Sequence, residues 1–493
     1  MSKQYILALD IGTSSVRAGL YDVQGNVLPK SMVKHERTLA TTDDGGAEID
    51  ADEGLQQVVE AIDDVLAKCA SVNGEIAWLA GSSFWHSLVG VDGRGRPTTK
   101  VLGWADTRSR GQSAELRQDL SERETHQRTG ARFHSSFWPA KLLWIKQTAP
   151  KIFQRTDRWL SFSDYLTLHF CGRAETSVSM ASATGMFDQR KCVWDKKLLD
   201  LLGIAAEKMP IISATDDTAL SLDEHFRRRW PRLKETRYFP AIGDGAANNI
   251  GAGCLKRSKA ALMIGTSGAM RVAFKGDPPD NIPAGLWCYR IDRRRVIIGG
   301  ALSDGGGLYR WMKDHIRLDA DDDKIEAEIA QRKPGAHGLI FMPFVAGERS
   351  TGYHESARGA IIGLRSATDS VDIVQAALEA IAFRFGEIFD QLNDVCRVRE
   401  VIASGGALRE SPVWTQIISD VLRRDLVLPE TREASSRGAV LHCLELLGQI
   451  KRLDVLPTPK GTSFKNSAKR AKEYAGPRLL HAKYYKLLSA HIT

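Results

Sequence analysis

The feature that most constrains the fold is a strand–turn–strand unit that occurs twice. Residues 7–22 read LALDIGTSSVRAGLYD: an apolar strand ends at Asp10, a Gly/Thr/Ser turn follows, and Val16, Ala18 and Leu20 then alternate with Arg17, Gly19 and Tyr21. That alternation is the signature of a half-buried strand. The same design returns about 250 residues later, where Ile264-Gly265-Thr266-Ser267-Gly268-Ala269-Met270-Arg271 also follows an apolar strand and opens onto an alternating one. Chance similarity of two short turns is the alternative. Otherwise the chain carries two duplicated folds that face one another.

The surrounding pattern agrees with duplication. After the first hairpin come an expected third strand over 27–33, a helix whose Leu55, Val58, Val59, Ile62, Val65 and Leu66 fall at helical spacing, and strands over 76–81 and 87–91. Together these describe an RNase H-like half-domain. Past the second hairpin, strands are expected at 286–291 and 295–299, and a long helix over 371–392. Strand 401–403 opens onto Ser404-Gly405-Gly406, with helix 412–422, strand 426–428, helix 436–447 and a helical, tyrosine-containing end at 483–488 following. This alternation predicts a layered α/β fold. At 493 residues the chain exceeds what one core normally supports. We therefore expect two domains, 1–250 and 251–493, dividing near 244–255.

Composition excludes several classes. The seven cysteines, at 69, 171, 192, 254, 288, 396 and 443, show no CxxC spacing, so they read as reduced thiols of a cytoplasmic protein without a zinc site. The opening MSKQYILALD has too short an apolar run for a secretory signal, and no stretch approaches the roughly 20 apolar residues of a membrane span. The net charge of +8 is mostly interleaved with acids, as in DEHFRRRWPRLKETR from Asp223, and only 460–472 is locally basic. A solvated face explains this better than nucleic acid does.

A tight Gly/Thr/Ser turn aims backbone N–H groups and hydroxyls at one point, which makes a preorganised anion cradle. Gly12 permits backbone approach, and Asp10 just before it is placed to hold Mg²⁺ through water. Two such cradles on opposite walls can grip a triphosphate; a purely structural hairpin is the alternative for each. The Walker A pattern and a strand-following GxGxxG are both absent. Asp244, in FPAIGDGAANN among small residues that leave room for a ligand, suits the base that accepts a hydroxyl proton in phosphoryl transfer. A helix N-cap for Ala246 onward is its bland alternative. Ser404-Gly405-Gly406-Ala407, between strand and helix, would let adenine lie flat against backbone; a plain turn explains it nearly as well. Ser303-Asp304-Gly305-Gly306-Gly307 suits a hinge or a nucleotide wall.

Taken together these segments resemble the FGGY carbohydrate kinases, of the sugar kinase, Hsp70 and actin superfamily, in family order along essentially the whole chain. DIGTSSVRAGLYD resembles the first phosphate motif, SFWHSLVGVD and GWADTRS the two sugar-site segments, and FPAIGDGAANNIGAG the segment of the catalytic aspartate. MIGTSGAMR resembles the second phosphate motif and IASGGALRESPVWTQIISDVL the adenosine motif. Within the family the likeness is greatest to gluconokinases, through GTSGAMR, FMPFVAGERS (341–350), ARFHSSFWPAKLLWIK around His134, and the pair Asp244-Gly245.

The resemblance implies two RNase H-like domains flanking a catalytic cleft and ATP-dependent phosphorylation of a sugar or sugar acid at a terminal hydroxyl. D-gluconate to 6-phosphogluconate is the first choice; a pentulose kinase or a non-catalytic sugar or nucleotide sensor is the alternative. It implies a monomer or homodimer whose partners are ATP, Mg²⁺ and a small sugar, with no nucleic acid or membrane. By the same carry-over Asp244 is the base and Asp10 and Asp244 serve the metal. Gly12, Thr13, Ser14, Ser15, Gly265 and Thr266 hold phosphates; Gly306, Gly405, Gly406 and Ala407 line the nucleotide site. Trp85, His86, Trp104, Asp106, Arg108, His134 and Gly245 are the sugar-site candidates, with Arg108 or His134 meeting a carboxylate. Trp85, Trp104 and His86 have core packing as their alternative, and Arg108 a structural ion pair. Where the family commonly has Gln-Met-His, this chain has Phe84-Trp85-His86, and Gly245 stands where a xylulokinase-like Gly-Asp-Asn string would place asparagine.

Overall fold

The computed structural model describes residues 3–316, 318, 321–430 and 433–489. Its frame is a pair of mixed sheets of the same design. In the first, Gln4–Ile11 pairs antiparallel with Ser15–Asp22, which pairs with Val33–Glu36, while the other edge of Gln4–Ile11 takes Glu75–Ser83 in parallel. In the second, Lys259–Ile264 pairs antiparallel with Gly268–Lys275, which pairs with Arg295–Leu302, and takes Glu400–Ser404 in parallel. Each sheet has seven strands. The second is extended by Trp287–Asp292 at one edge and by Leu426–Pro429 and Gly461–Phe464 at the other.

Local chemistry accounts for the elements and for departures from expectation. Helix Ala51–Lys68 begins where the Asp50 side chain accepts from the N–H groups of Asp52 and Glu53. Helix Ser370–Cys396 starts in a capping box between Asp369 and Asp372 and buries most of its length. The expected third strand over 27–33 is displaced to Val33–Glu36. Asp22 accepts from the N–H groups of Gln24 and Asn26, both at 2.9 Å, and so tightens a turn. Lys30 takes a left-handed φ of 63°, leaving Val27 one isolated bridge to Tyr21. The strand expected over 87–91 is only Val89–Val91, paired with Arg158–Leu160 outside the main sheet.

The expected division near 244–255 falls on helix Asp244–Gly251, which lies against helix Ala434–Leu446. Their backbones touch: a Cβ at Gly438 would stand 1.8 Å from the Ala247 carbonyl oxygen. A shared apolar cluster joins Ile6, Ala8 and Ala80 of the first sheet, Ala246 and Ile250, Val440 and Leu444, and Trp287, Tyr289 and Ile297 of the second. Edge strand Trp287–Asp292 is covered by the first half, with Ser182 bonding both backbone groups of Arg290. The basic 460–472 segment supplies strand Gly461–Phe464 and the start of helix Ala468–Ser489, with Lys465 paired to Asp425 and Arg470 to Asp420. Among the described residues no helix is long and apolar enough to cross a membrane.

Candidate functional site

Three parallel strand ends bring the carboxylates together. Asp10 is opposite Ser82 on the neighbouring strand, and Ser82 is opposite Ile242, two residues before Asp244. Asp10 is buried; it accepts from Ser82 Oγ at 2.7 Å and lies 3.4 Å from Arg17. Burial raises its pKa above the ordinary carboxylate value. Asp244 is the first residue of its helix, with Gly243 in the cap position, so the N-cap alternative does not describe it. Among the described residues its carboxylate accepts only the N–H of Gly245, at 2.7 Å, and burial, opposed by Arg271 and reinforced by Asp10, holds it up to about 6. Two hard oxygen donors of like charge at one strand edge suit Mg²⁺, which takes one or two carboxylates and completes its shell with water and phosphate oxygens. Among the described residues no group of three or more His, Cys, Asp or Glu gathers.

The two turns resemble one another in exposure and differ in register. Ile11 and Ile264 are buried, while Gly12, Thr13 and Ser14, like Gly265, Thr266 and Ser267, reach the surface. Gly12 N–H donates to Ser15 O and Gly265 N–H to Ser267 O, both at 2.9 Å, so the second turn is one residue tighter. Ser15 begins the returning strand and is buried. The two arginines that end the sequence echo are therefore not equivalent: Arg17 is opposite Asp10 beside its turn, whereas Arg271 is opposite Ala261, deeper in the sheet.

The glycine-rich segments close around the second turn. Gly306 and Gly307 donate to the carbonyls of Gly265 and Thr266 at 2.8 and 3.0 Å, seating the start of helix Gly306–His315 on the turn. A Cβ at Gly306 would stand 2.8 Å from Cβ of Ala407. Gly405 has φ of +103°, and a Cβ there would meet the Ile264 carbonyl at 2.1 Å, so only glycine fits beneath the turn. Gly306 and Ala407 line a pocket with Tyr309, Ile325, Leu378 and Trp414. Arg310, Lys313, Asp322, Glu326, Glu410 and Ser411 add polar groups to its lining, so the pocket beside the second turn joins an aromatic and aliphatic surface to hydrogen-bonding groups.

On the opposite wall, the ring of Trp85 lies on the backbone around Asp244. A Cβ at Gly243 would be 1.9 Å from that ring, and one at Gly245 would be 2.5 Å from it. Trp85 donates to Ser179 O at 3.2 Å and meets Trp287 and Tyr289 edge-on. His86, with a left-handed φ of 67°, donates from Nδ1 to Ala183 O at 2.6 Å. Burial puts its pKa well below the usual imidazole value, so it is neutral with Nε2 as an acceptor. His134 accepts the Ser136 N–H on Nδ1 at 3.0 Å and is held down to about 4 by burial. It shares a cleft pocket with Trp104, Ser303, Arg349 and Glu355.

Residues 5–251 match the N-terminal domain and residues 260–444 the C-terminal domain of the FGGY family of carbohydrate kinases. The chain belongs to that family. It is 29% identical over 487 residues to a gluconokinase of Bacillus subtilis (strain 168), covering 95% of this chain and 93% of the relative. It is 25% identical over 439 residues to a xylulose kinase of Staphylococcus xylosus, covering 89% and 90%. Its fold superposes on a gluconate kinase from Lactobacillus acidophilus with a TM-score of 0.91 at 25% identity, covering 99% of both chains. A ligand-bound xylulose kinase from the same organism gives 0.90, also at 25% identity and 99% coverage. This FGGY chain is thus a carbohydrate kinase of gluconokinase-like type with two α/β halves.

The structure of this kinase joins most of the residues expected from sequence and separates two. Trp104 and His134 meet in the cleft. Asp106 and Arg108 are engaged by protein partners: Arg108 bonds Asp106 at 2.5 Å and Glu48 at 2.7 Å and lies over Trp144, while Asp106 also accepts the Ala47 N–H. The pair braces the loop carrying Trp104, and neither residue is among the lining of the pocket that holds Trp104 and His134. Two buried cations escaped the sequence reading. Lys141 donates to Ser136 O at 2.5 Å and to His86 O at 3.4 Å, and burial lowers it to about 7. Arg271 reaches to Gly245, where a Cβ would be 2.9 Å from its Nε, and its buried Nε and Nη1 have no hydrogen-bond partner among the described residues. Each stands in a motif string noted above, but nothing in a string tells a buried cation from a solvated one.

Proposed function

We propose that this kinase transfers the γ-phosphoryl group of ATP to the terminal hydroxyl of D-gluconate, giving 6-phosphogluconate and ADP. The observation that carries the reading is the carboxylate of Asp244, half-buried at a helix start, held up to about 6 and, among the described residues, accepting a hydrogen bond from Gly245 alone. In the reaction Asp244 accepts the hydroxyl proton as that oxygen bonds the γ-phosphorus, and the bond to the bridging oxygen of ADP breaks with its electron pair. Arg271, whose Nε and Nη1 have no hydrogen-bond partner among the described residues, lies beside Gly245 and supplies positive charge where negative charge accumulates on the transferring group. Gly12, Thr13, Ser14, Gly265 and Thr266 cradle the phosphates, and the Gly306–Ala407 pocket, with Gly405 and Gly406 at its approach, takes adenosine. Asp10 and Asp244 would hold Mg²⁺ through water, and the ion, when bound, neutralises phosphate charge. Trp104 presents an apolar face to the polyol, with His86 offering its neutral Nε2 as an acceptor, His134 lining the same end of the cleft and Gly245 making room for Trp85. The lobes divide within 244–255, at the helix that carries the base.

A screen of ADP release with gluconate, xylulose, ribulose, glycerol and erythritol tests the reading. Gluconate is expected to give the highest kcat/KM. A pentulose exceeding it would reassign the substrate, and ATP binding without turnover of any polyol would leave a sensor.

A further inference from the structure

Arg349 is a cation without a counter-ion at the sugar end of the cleft. It follows Glu348 in the loop after strand Ile340–Met342, and its guanidinium lies 5.0 Å from the centroid of the Trp104 ring. It lines the same pocket as Trp104 and His134. Among the described residues no hydrogen bond or ion pair engages it. Its neighbours explain why. Glu348 is taken by Arg384 and by the Tyr485 hydroxyl, at 2.8 Å to each carboxylate oxygen. Glu355 accepts the Ser135 N–H at 2.9 Å and stands 3.8 Å from His134 Nε2. The other cations that feel Arg349 are Arg271 and Lys141, and the two histidines are held neutral. Asp244, at the reacting end, is close enough to sense its charge but is not paired with it. A half-buried guanidinium that lines this pocket with no acid partner keeps its charge for a ligand, and a planar carboxylate is its best-matched one.

We propose that Arg349 binds the carboxylate of the substrate and makes the cleft selective for a sugar acid over a neutral polyol. The acid end would then rest on Trp104 and Arg349 while the far hydroxyl reaches Asp244. This rests on the gluconate reading and names the group behind it; Arg349 takes over the role expected of Arg108 or His134.

The test is calorimetric binding of D-gluconate, D-gluconamide (the same chain with an uncharged head group) and a non-hydrolysable ATP analogue to wild type, Arg349→Gln and Arg349→Lys. We expect wild type to prefer gluconate to gluconamide. Arg349→Gln should weaken gluconate by about 10–100-fold, the size of a lost charge-assisted hydrogen bond, leave gluconamide and the ATP analogue within about threefold, and so erase the preference. Arg349→Lys should restore part of it. If the glutamine variant keeps the preference, or loses ATP analogue instead of gluconate, the assignment is wrong even while wild type phosphorylates gluconate. If wild type binds no aldonate and turns over a pentulose, the substrate reading and this assignment fall together.

Discussion

At the scale of single residues, the chemistry rests on a carboxylate that the fold partly withdraws from water. A carboxyl raised to about 6 binds its proton more tightly in the native than in the unfolded chain. Its ionisation therefore removes stability as pH rises from near 4 through 6. The difference from an ordinary aspartate amounts to at most about 3 kcal/mol. Asp244→Asn should accordingly raise the unfolding temperature of the ligand-free enzyme at pH 8, with the gain vanishing towards pH 4. The same substitution should cut kcat by about 10²–10⁴-fold, as loss of a general base does, while ATP and sugar still bind. Near-normal turnover would remove Asp244 as base. In wild type, kcat/KM should fall below about pH 6 as Asp244 takes up its proton. Asp304 is also held up to about 6 by burial, though bonded to the Ala346 N–H. The acid limb should persist in Asp304→Asn if Asp244 causes it.

At the scale of elements, the helix start at Asp244 and the strand end at Trp85 are fitted to one another. Phe84-Trp85-His86 departs from the commoner Gln-Met-His, and Gly245 departs from the asparagine of xylulokinase-like strings. The structure shows the two departures to be one: the indole occupies the space that a side chain at 245 would need. Gly245→Asn alone should therefore force the indole or Arg271 aside, lowering stability by about 1–3 kcal/mol and kcat/KM by at least about tenfold. Combining it with Trp85→Met should recover much of the stability. A double-mutant cycle over unfolding midpoints measures the coupling, and simple additivity would show that the residues do not share that space. The glycine-rich start of helix Gly306–His315 is likewise an assembled feature, since its first N–H groups are satisfied by carbonyls of the second turn instead of a capping side chain.

At the scale of the whole molecule, the C-terminal helix Ala468–Ser489 reaches back to the cleft. Tyr485 and Arg384 together hold Glu348, and Glu348 accepts the Gly352 N–H at 3.2 Å, which fixes the loop that presents Arg349. Tyr485→Phe should cost about 1–2 kcal/mol for a lost hydrogen bond to a buried carboxylate, and should raise the KM for gluconate more than it lowers kcat. Steady-state kinetics decide this; an unchanged KM would show that the loop holds itself. The two halves are also tied by helix Ala434–Leu446, which comes from late in the chain yet packs with the first sheet. Closure on substrates should therefore pivot about this junction, excluding water that would otherwise accept the phosphoryl group.

Much of this was legible before any coordinates. The duplicated hairpin marks itself by alternation and small turn residues, and the long helices by spacing, because both are local periodicities written along the chain. Asp10, Asp244, the two turns and Gly405 stand out because strand ends and tight backbone approaches demand particular residue types. What the chain alone left open was where each cation ends. Trp-x-Asp-x-Arg reads as a hydroxyl-binding segment, yet Glu48 claims Arg108 and turns it into a brace. Arg349 reads as one charge in an ordinary string, yet Arg384 and Tyr485 take its neighbouring acid and leave it unpaired. The paired residues lie between 36 and 137 positions apart along the sequence. The residue type sets which ion pairs and hydrogen bonds a side chain can make; only the tertiary fold decides which of them it has, and so which charge is left for a ligand.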